Sequence, residues 1–289
     1  MPKFAANLSF LYTELPFLDR FEAAAKDGFK AVEFLFPYAY PAHDIAARLK
    51  ANDLQQVLFN LPPGGVDAKS IEHAWTKGER GIACQTGREA EFAEGLDLAL
   101  RYADALGSAR LHLMAGIVPN GVSIQNAHQT YVTNAKTASK LTASRNSGVT
   151  ITIEPINTFD MPGYFLTHQA QAHALLAEIG ASNVKVQMDL YHCQRMEGHV
   201  NDVLRQYLPS GNIAHIQIAS SPHRHEPQIN HVQSGDINYA AVFDFLDSMG
   251  YEGWIGCEYK PQLQGQNLGP TSATSMGLDW FKPYRTTQR

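Results

Sequence analysis

Four short apolar runs in the second half of the chain each end on a polar residue. They are Glu154 in VTITIEPIN, Asp189 in VKVQMDLYH, Gln217 in IAHIQIASS and Glu258 in WIGCEYKP. The intervals are 35, 28 and 41 residues, each close to one strand-loop-helix unit. Parallel neighbours in a sheet need a long crossover between them, usually a helix. The recurrence therefore predicts consecutive parallel strands, each delivering one oxygen ligand to a common point.

The remainder of the chain keeps the same rhythm. Strand-like runs at 4–10, 31–36, 55–61, 110–115, 149–154, 184–189, 213–219 and 254–258 alternate with helical stretches such as PFLDRFEAAAKDG, HDIAARLKAND, EAEFAEGLDLALRYADALG and THQAQAHALLAEIG. In the third of these, Phe92, Leu96, Ala99 and Ala103 recur at helical spacing. Gly28, Gly107 and Gly180 stand where helices stop, and Thr167 and Asn238 where they start. Strands alternating with helices predict an α/β fold, a single-domain (β/α)8 TIM barrel. The alternative, a doubly wound open sheet, carries a glycine-rich phosphate loop after an early strand. Here the first run leads into LYTELP, which has none. The barrel is expected over residues 1–261. Residues 262–289 are expected as a C-terminal helical extension, with one helix around 276–281, packed on the barrel or on a neighbouring subunit. Residues 62–87, with His73 and Arg80 and with Arg88 just beyond, are glycine-rich and long for a loop. They are expected to cover the site.

In a barrel, alternate strand residues point to the axis, and active sites lie at the C-terminal strand ends. The runs V-T-I-T-I-E and V-K-V-Q-M-D alternate in this way and end on the candidate ligands. One such acidic residue alone is usually solvated or caps a helix. Four at regular intervals favour a metal site, and three carboxylates with an amide oxygen are hard donors suited to Mg²⁺ or Mn²⁺. Glu154 and Glu258 supply a candidate base and acid on opposite sides of a bound substrate. His192, three residues past Asp189, is a candidate substrate hydrogen-bonder, weighed against a satisfied loop histidine. Arg224, in SPHRHEP, offers a fork that matches carboxylates, weighed against a surface arginine. Lys260 lies two residues past Glu258 and points the same way if that strand continues. His112, in RLHLMAG, is an interior candidate weighed against a core histidine. Glu33 and Asn60 end earlier strands and could line the pocket, with no chemistry assigned.

The net charge of −5 and the lack of a strongly basic block argue against nucleic acid as a partner. An anionic small substrate stays open, because local cations matter more than the total. No apolar run approaches the roughly 20 residues that span a bilayer, and MPKFAANLSF lacks the pattern of a secretory leader. The three cysteines, Cys84, Cys193 and Cys257, are odd in number and without C-x-x-C pairing. Reduced thiols in a cytoplasmic protein are the expectation.

Several stretches carry a resemblance. They are N-L-P-P-G, G-E-R-G-I-A, H-x-M-A-G, I-E-P-I-N-T-F-D-M-P-G-Y-F-L, Q-M-D-L-Y-H-C-Q, H-I-Q-I-A, R-H-E-P, G-D-I-N-Y and G-Y-E-G-W-I-G-C-E-Y-K-P. Running from about residue 4 to 261, they resemble the hydroxypyruvate isomerase family within the xylose isomerase-like TIM barrels. The nearest branch is the one that includes 2-oxo-tetronate isomerases. The resemblance implies Glu154 and Glu258 as proton donor and acceptor, and Glu154, Asp189, Gln217 and Glu258 as metal ligands. Likeness to ketose 3-epimerases implies that His192 and Arg224 bind substrate and that Asp160 contacts it, at a position where those proteins have glutamate.

The expected activity is metal-dependent isomerisation of a small hydroxy-keto acid through an enediolate. The candidates are hydroxypyruvate to tartronate semialdehyde, or 2-oxo-tetronate to 3-oxo-tetronate. Arg224 would hold the carboxylate, with His192 and Lys260 near the reacting oxygens. A homo-oligomer is compatible with this reading. The alternative is a ketose 3-epimerase on a free sugar, using the same glutamates on one carbon. A zinc phosphodiesterase of the endonuclease IV type needs a histidine-rich cluster and a basic groove, whereas the 12 histidines here are scattered. A non-catalytic sugar binder would not need both glutamates. The chain departs from the family at VDAKSIEHAWTK, at QINHVQS and in its tail after Pro261. The first two flank the expected active-site loops and bear on substrate identity.

Overall fold

Runs rich in valine, isoleucine and phenylalanine pack well on a pleated surface, and here they form eight strands. These are β1 (Lys3–Asn7), β2 (Ala31–Glu33), β3 (Gln55–Asn60), β4 (Arg110–His112), β5 (Thr150–Ile153), β6 (Val184–Asp189), β7 (Ile213–Ile218) and β8 (Trp254–Cys257). The structure, a computed structural model, describes residues 1–145, 148–229, 236–266 and 272–287. All neighbouring pairs are parallel and follow chain order, and β8 closes on β1. The expected (β/α)8 barrel is the fold. The strands are shorter than several of the apolar runs. After His112, for instance, the ladder ends with Leu113 N–H on Thr152 O at 2.8 Å, and the chain then turns at Gly116.

The helices are α1 (Arg20–Lys26), α2 (Ala42–Ala51), α3 (Ala68–Thr76), α4 (Glu89–Leu106), α5 (Ile124–Ser144), α6 (Gln169–Ile179), α7 (Leu190–Glu197), α8 (Val200–Tyr207), α9 (Tyr239–Ser248) and α10 (Ala273–Met276). Gly107 and Gly180 end α4 and α6 in the left-handed conformation, where a missing Cβ removes the strain. Asn238 caps α9 by accepting from Ala241 N–H at 3.2 Å. Thr167 is not the α6 cap. The helix begins after His168, and the Gln171 side chain reaches back to Thr167 N–H at 3.0 Å.

Two segments differ from the sequence reading. Residues 62–87 are not all loop, because they contain α3. Asp67 accepts from the N–H groups of Lys69 and Ser70, both at 3.0 Å, while Ser70 Oγ accepts from Asp67 N–H. This reciprocal pair satisfies amides that a helix start otherwise leaves open. In the tail, the single helix expected at 276–281 is instead the short α10, Gly277 and a 3₁₀ segment, Leu278–Thr287. Phe281 stacks on Phe29 at 4.4 Å, and Phe4 meets Trp280, Phe281 and Tyr284 edge-on. Of QINHVQS, only Gln228 and Ile229 fall within the described residues.

Strand residues facing the helices form the core. Val186, Met188, Ile216, Ile218, Ile255 and Cys257 are buried in one cluster with Phe92, Leu96 and Leu100 of α4. The three cysteines are buried and unpaired. Among the described residues, no helix is long and apolar enough to cross a membrane.

Candidate active site

The two-residue period of a strand places Thr152 with Glu154, Gln187 with Asp189, His215 with Gln217, and Gly256 with Glu258 on the axial side. In the ladder, Asp189 stands opposite Gln217, and Gln217 opposite Gly256. Glu154 and Glu258 thus reach one cavity of about 600 Å³, which His112, Asp160, Gln187, His192, Arg224 and Lys260 also line. Asp189 and Gln217 are buried beside it.

Hydrogen bonds tie three of the four strand-end residues together. Gln187 Nε2 donates to Glu154 Oε2 at 2.9 Å and to Gln217 Oε1 at 2.7 Å. The Gln217 amide donates to Glu33 Oε1 at 2.8 Å and to Glu258. As placed, Gln217 turns its NH₂ group, not its oxygen, toward Glu258. Asp189 caps a helix with one oxygen and leaves the other without a hydrogen bond. Oδ1 caps α7, accepting from Tyr191 N–H at 2.7 Å and His192 N–H at 3.3 Å. Oδ2 is buried without a hydrogen-bond partner.

Both histidines lie against the carboxylates. His192 Nδ1 accepts from the Asn157 side chain at 2.6 Å, which assigns the proton to Nε2. That nitrogen faces Asp189 Oδ2 at 3.6 Å and Glu154 Oε1 at 4.0 Å. His112 Nδ1 lies between Asn60 Oδ1 at 3.2 Å and Glu154 Oε2 at 3.3 Å. Burial, and then nearby His215, push His112 down to about 3. Burial and the Arg224 charge push His192 well below its ordinary range. Both rings are neutral at pH 7.

Arg224 differs from the free fork expected of it. Its backbone is left-handed (φ 57°), and its guanidinium lies between the rings of Phe10 and Tyr191, each centroid 5.0 Å away. Nη2 donates to Glu258 Oε1 at 2.6 Å and lies 3.6 Å from Asp189 Oδ2, while Nη1 is 3.8 Å from Asp160 Oδ2. The carboxylates of the site already engage this charge. Asp160 is exposed and accepts from Asn157 Nδ2 and Tyr191 Oη, both at 3.0 Å. Lys260 reaches the cavity although β8 ends at Cys257. Its backbone turns to donate to Arg224 O at 2.8 Å, and its side chain is exposed.

Three buried carboxylates share this single arginine. Burial and then Glu258 and Asp189 hold Glu154 well above the usual carboxylate range. Burial raises Asp189 to about 6 against the pull of Arg224, and it raises Glu258 to about 8 against the same pull. Oxygens that lack compensating positive charge bind protons more tightly. Glu154, Asp189 and His192 offer donor atoms that all lie within 4.8 Å of one another. With the orphaned Asp189 Oδ2, this donor set fits a divalent cation.

Gln187 and Trp75 were not singled out from sequence, whereas Glu33 was named as able to line the pocket and Arg80 as part of a segment expected to cover it. Gln187, two residues before Asp189, bridges two strand ends, and the alternation of V-K-V-Q-M-D was its signal. Beneath the cavity, Glu33 accepts from Asn7 Nδ2 at 2.9 Å and pairs with His215 Nε2 at 2.6 Å. Its carboxylate occupies space that a Cβ at Gly256 would overlap. Trp75 and Arg80 line the mouth from α3 and the turn after it.

Fold and site define a closed barrel with a buried acidic centre at the C-terminal ends of its strands. The model of the family described as xylose isomerase-like TIM barrel matches residues 21–284. The chain is 48% identical to the 2-oxo-tetronate isomerase of Cupriavidus necator, over 98% of this chain and 99% of that one. It is 42% identical to the hydroxypyruvate isomerase of Escherichia coli, over 99% of this chain and all of that one. Among solved structures it resembles a protein from Brucella melitensis described as AP endonuclease, family 2. That chain is 44% identical, with a TM-score of 0.86 over 99% of this chain. The chain belongs to the hydroxypyruvate isomerase family of the xylose isomerase-like TIM barrels, and it is an isomerase.

Proposed function

We propose that the protein interconverts small hydroxy-keto acids and aldehyde acids, with hydroxypyruvate and 2-oxo-tetronates as the candidate substrates. The observation that carries this reading is the pair of buried glutamates, Glu154 and Glu258, facing one cavity, with Arg224 hydrogen-bonded to Glu258 alone. The relatives, named for hydroxypyruvate and 2-oxo-tetronate isomerisation, supply the substrate class.

Glu154, Asp189, Glu258 and, through its amide oxygen, Gln217 would hold Mg²⁺ or Mn²⁺, with His192 beside them. When bound, the ion supplies Lewis acidity to the substrate oxygens. Arg224 hydrogen-bonds Glu258 and favours its ionised form, so Glu258 is the base. Glu154 has no cation hydrogen-bonded to it, so it is the acid. In the forward direction Glu258 takes the proton from the hydroxyl-bearing carbon, and the electron pair moves into the adjacent carbonyl to give an enediolate. Glu154 then gives a proton to the former carbonyl carbon, while the hydroxyl proton passes to the former carbonyl oxygen. His192 Nε2–H and His112 are placed to hydrogen-bond those oxygens without adding charge. Burial excludes water that would compete for the protons.

The test is turnover of hydroxypyruvate, 2-oxo-tetronates and free ketoses by protein that is metal-loaded, chelator-stripped, and stripped then reloaded with Mg²⁺ or Mn²⁺. Keto-acid turnover lost to chelator and restored by either ion is expected. Full activity after exhaustive stripping would end the metal reading. Outright preference for a neutral ketose would favour the 3-epimerase alternative, which needs the same two glutamates.

A further inference from the structure

Two arginines line the cavity, and only one is neutralised. Arg224 is held by Glu258, Asp189 and Asp160. Arg80 has no acidic group within 4.0 Å among the described residues. Its Nη1 donates to the carbonyl oxygens of Trp75, at 3.1 Å, and Glu79, at 2.8 Å. Its remaining N–H groups have no partner among the described residues. The guanidinium lies over the Trp75 ring with 4.0 Å to the centroid, and Trp75 packs edge-on against Phe36 at 5.0 Å. Two carbonyls and one ring therefore fix this fork, while its other edge is left free at a cavity wall. Arg88, nearby in sequence, contrasts with it, being closed by Glu79 and Glu91 at 2.6 Å each.

The backbone that presents Arg80 is anchored. Gly81 donates to Pro63 O at 3.0 Å and approaches Met114 so closely that a Cβ would overlap its backbone oxygen. Three residues on, Cys84 N–H bonds Ala115 O at 2.8 Å. Partial burial disfavours the Arg80 charge and lowers its pKa from the ordinary value. A half-buried guanidinium without a counter-ion, pre-oriented by stacking, loses little freedom on meeting a planar anion. Carboxylates match its paired N–H geometry.

We propose that Arg80, braced on Trp75, binds the substrate carboxylate at the mouth of the cavity and so selects acids over neutral sugars. This rests on the keto-acid reading above and moves the carboxylate away from Arg224, whose charge the carboxylates of the site occupy. Arg80 acts on binding, not on proton transfer.

The experiment measures calorimetric binding of L-threonate and its neutral amide, L-threonamide, to the metal-loaded wild type and to Arg80→Gln, Arg80→Lys and Lys260→Gln. Keto-acid KM and kcat are measured alongside. The wild type is expected to prefer threonate, and Arg80→Gln to lose about tenfold or more of that preference, the scale of one charged hydrogen bond. KM should rise with kcat little changed. Arg80→Lys should recover part of the preference, since it keeps the charge and loses the fork. A preference absent from the wild type, surviving in folded Arg80→Gln, or abolished by Lys260→Gln instead, overturns the proposal. An Arg80-dependent preference without turnover of any keto acid would refute the reaction assignment and leave the anion site standing. Keto-acid turnover with a KM indifferent to Arg80 would do the reverse.

Discussion

Glu258 shows how one side chain couples proton, cation and stability. Burial holds it at about 8 in the folded protein, against an ordinary value of 4.5. Between those limits the folded state keeps a proton that the unfolded chain has released, so stability falls as pH rises. Buried His112 and His192 act in the opposite sense. They are lowered from 6.5, so their effect is confined to pH below that value. From pH 6.5 to about 8 the carboxylate effect acts alone. Urea unfolding of the metal-stripped protein should give lower stability at the upper end of this window. Glu258→Gln should reduce the slope without abolishing it, since Glu154 is raised in the same sense, and Mn²⁺ should stabilise more at the upper end, where fewer protons compete for the ligands. An unchanged slope in Glu258→Gln would place the titrating group elsewhere. The strand-end residues were legible because each closes an apolar run and the period of two fixes its face. Arg80 was legible only as part of a segment expected to cover the site, and Trp75 was not singled out, because their place at the mouth depends on how the chain returns after β3.

At the scale of elements, the same periodicity exposed all eight strands, while α3 stayed hidden. Prolines and glycines at the start of 62–87 and glycines toward its end read as loop, yet Asp67 and Ser70 stand at the spacing that starts a helix. That local signal outweighs the flanking breakers. The cap has a functional consequence, since α3 ends on Trp75 and Thr76 and hands the chain to Arg80. Asp67→Ala should cost about 1 kcal/mol of helix stability. Amide exchange over 68–76 should quicken, and keto-acid KM should rise while kcat holds. Exchange rates equal to wild type would show that packing of Ile71 and Ala74, not the cap, sets this helix.

At the scale of the whole molecule, the barrel is closed by hydrogen bonds from β8 to β1, and the C-terminal segment reinforces that seam from outside. Tyr12 N–H bonds Thr274 Oγ1 at 2.8 Å, and Ser275 Oγ bonds Asp27 Oδ2 at 2.6 Å. The largest apolar contribution is Phe281, fully buried, stacked on Phe29 and edge-on to Phe4 of β1. The single helix expected here was misjudged because Gly277 interrupts it, whereas the contacts of Phe281 with Phe4 and Phe29 lie more than 200 positions away in the sequence. Such distant pairs leave no local period to detect. Phe281→Ala should lower unfolding free energy by about 3–5 kcal/mol, the cost of an aromatic cavity in a core that cannot fully collapse. Phe29→Leu and Phe281→Leu together should depart from additivity by about 1 kcal/mol, because the two rings stack on each other. A loss below about 1 kcal/mol for Phe281→Ala, less than any buried aromatic deletion should cost, would mean that the segment lies on a barrel already complete without it.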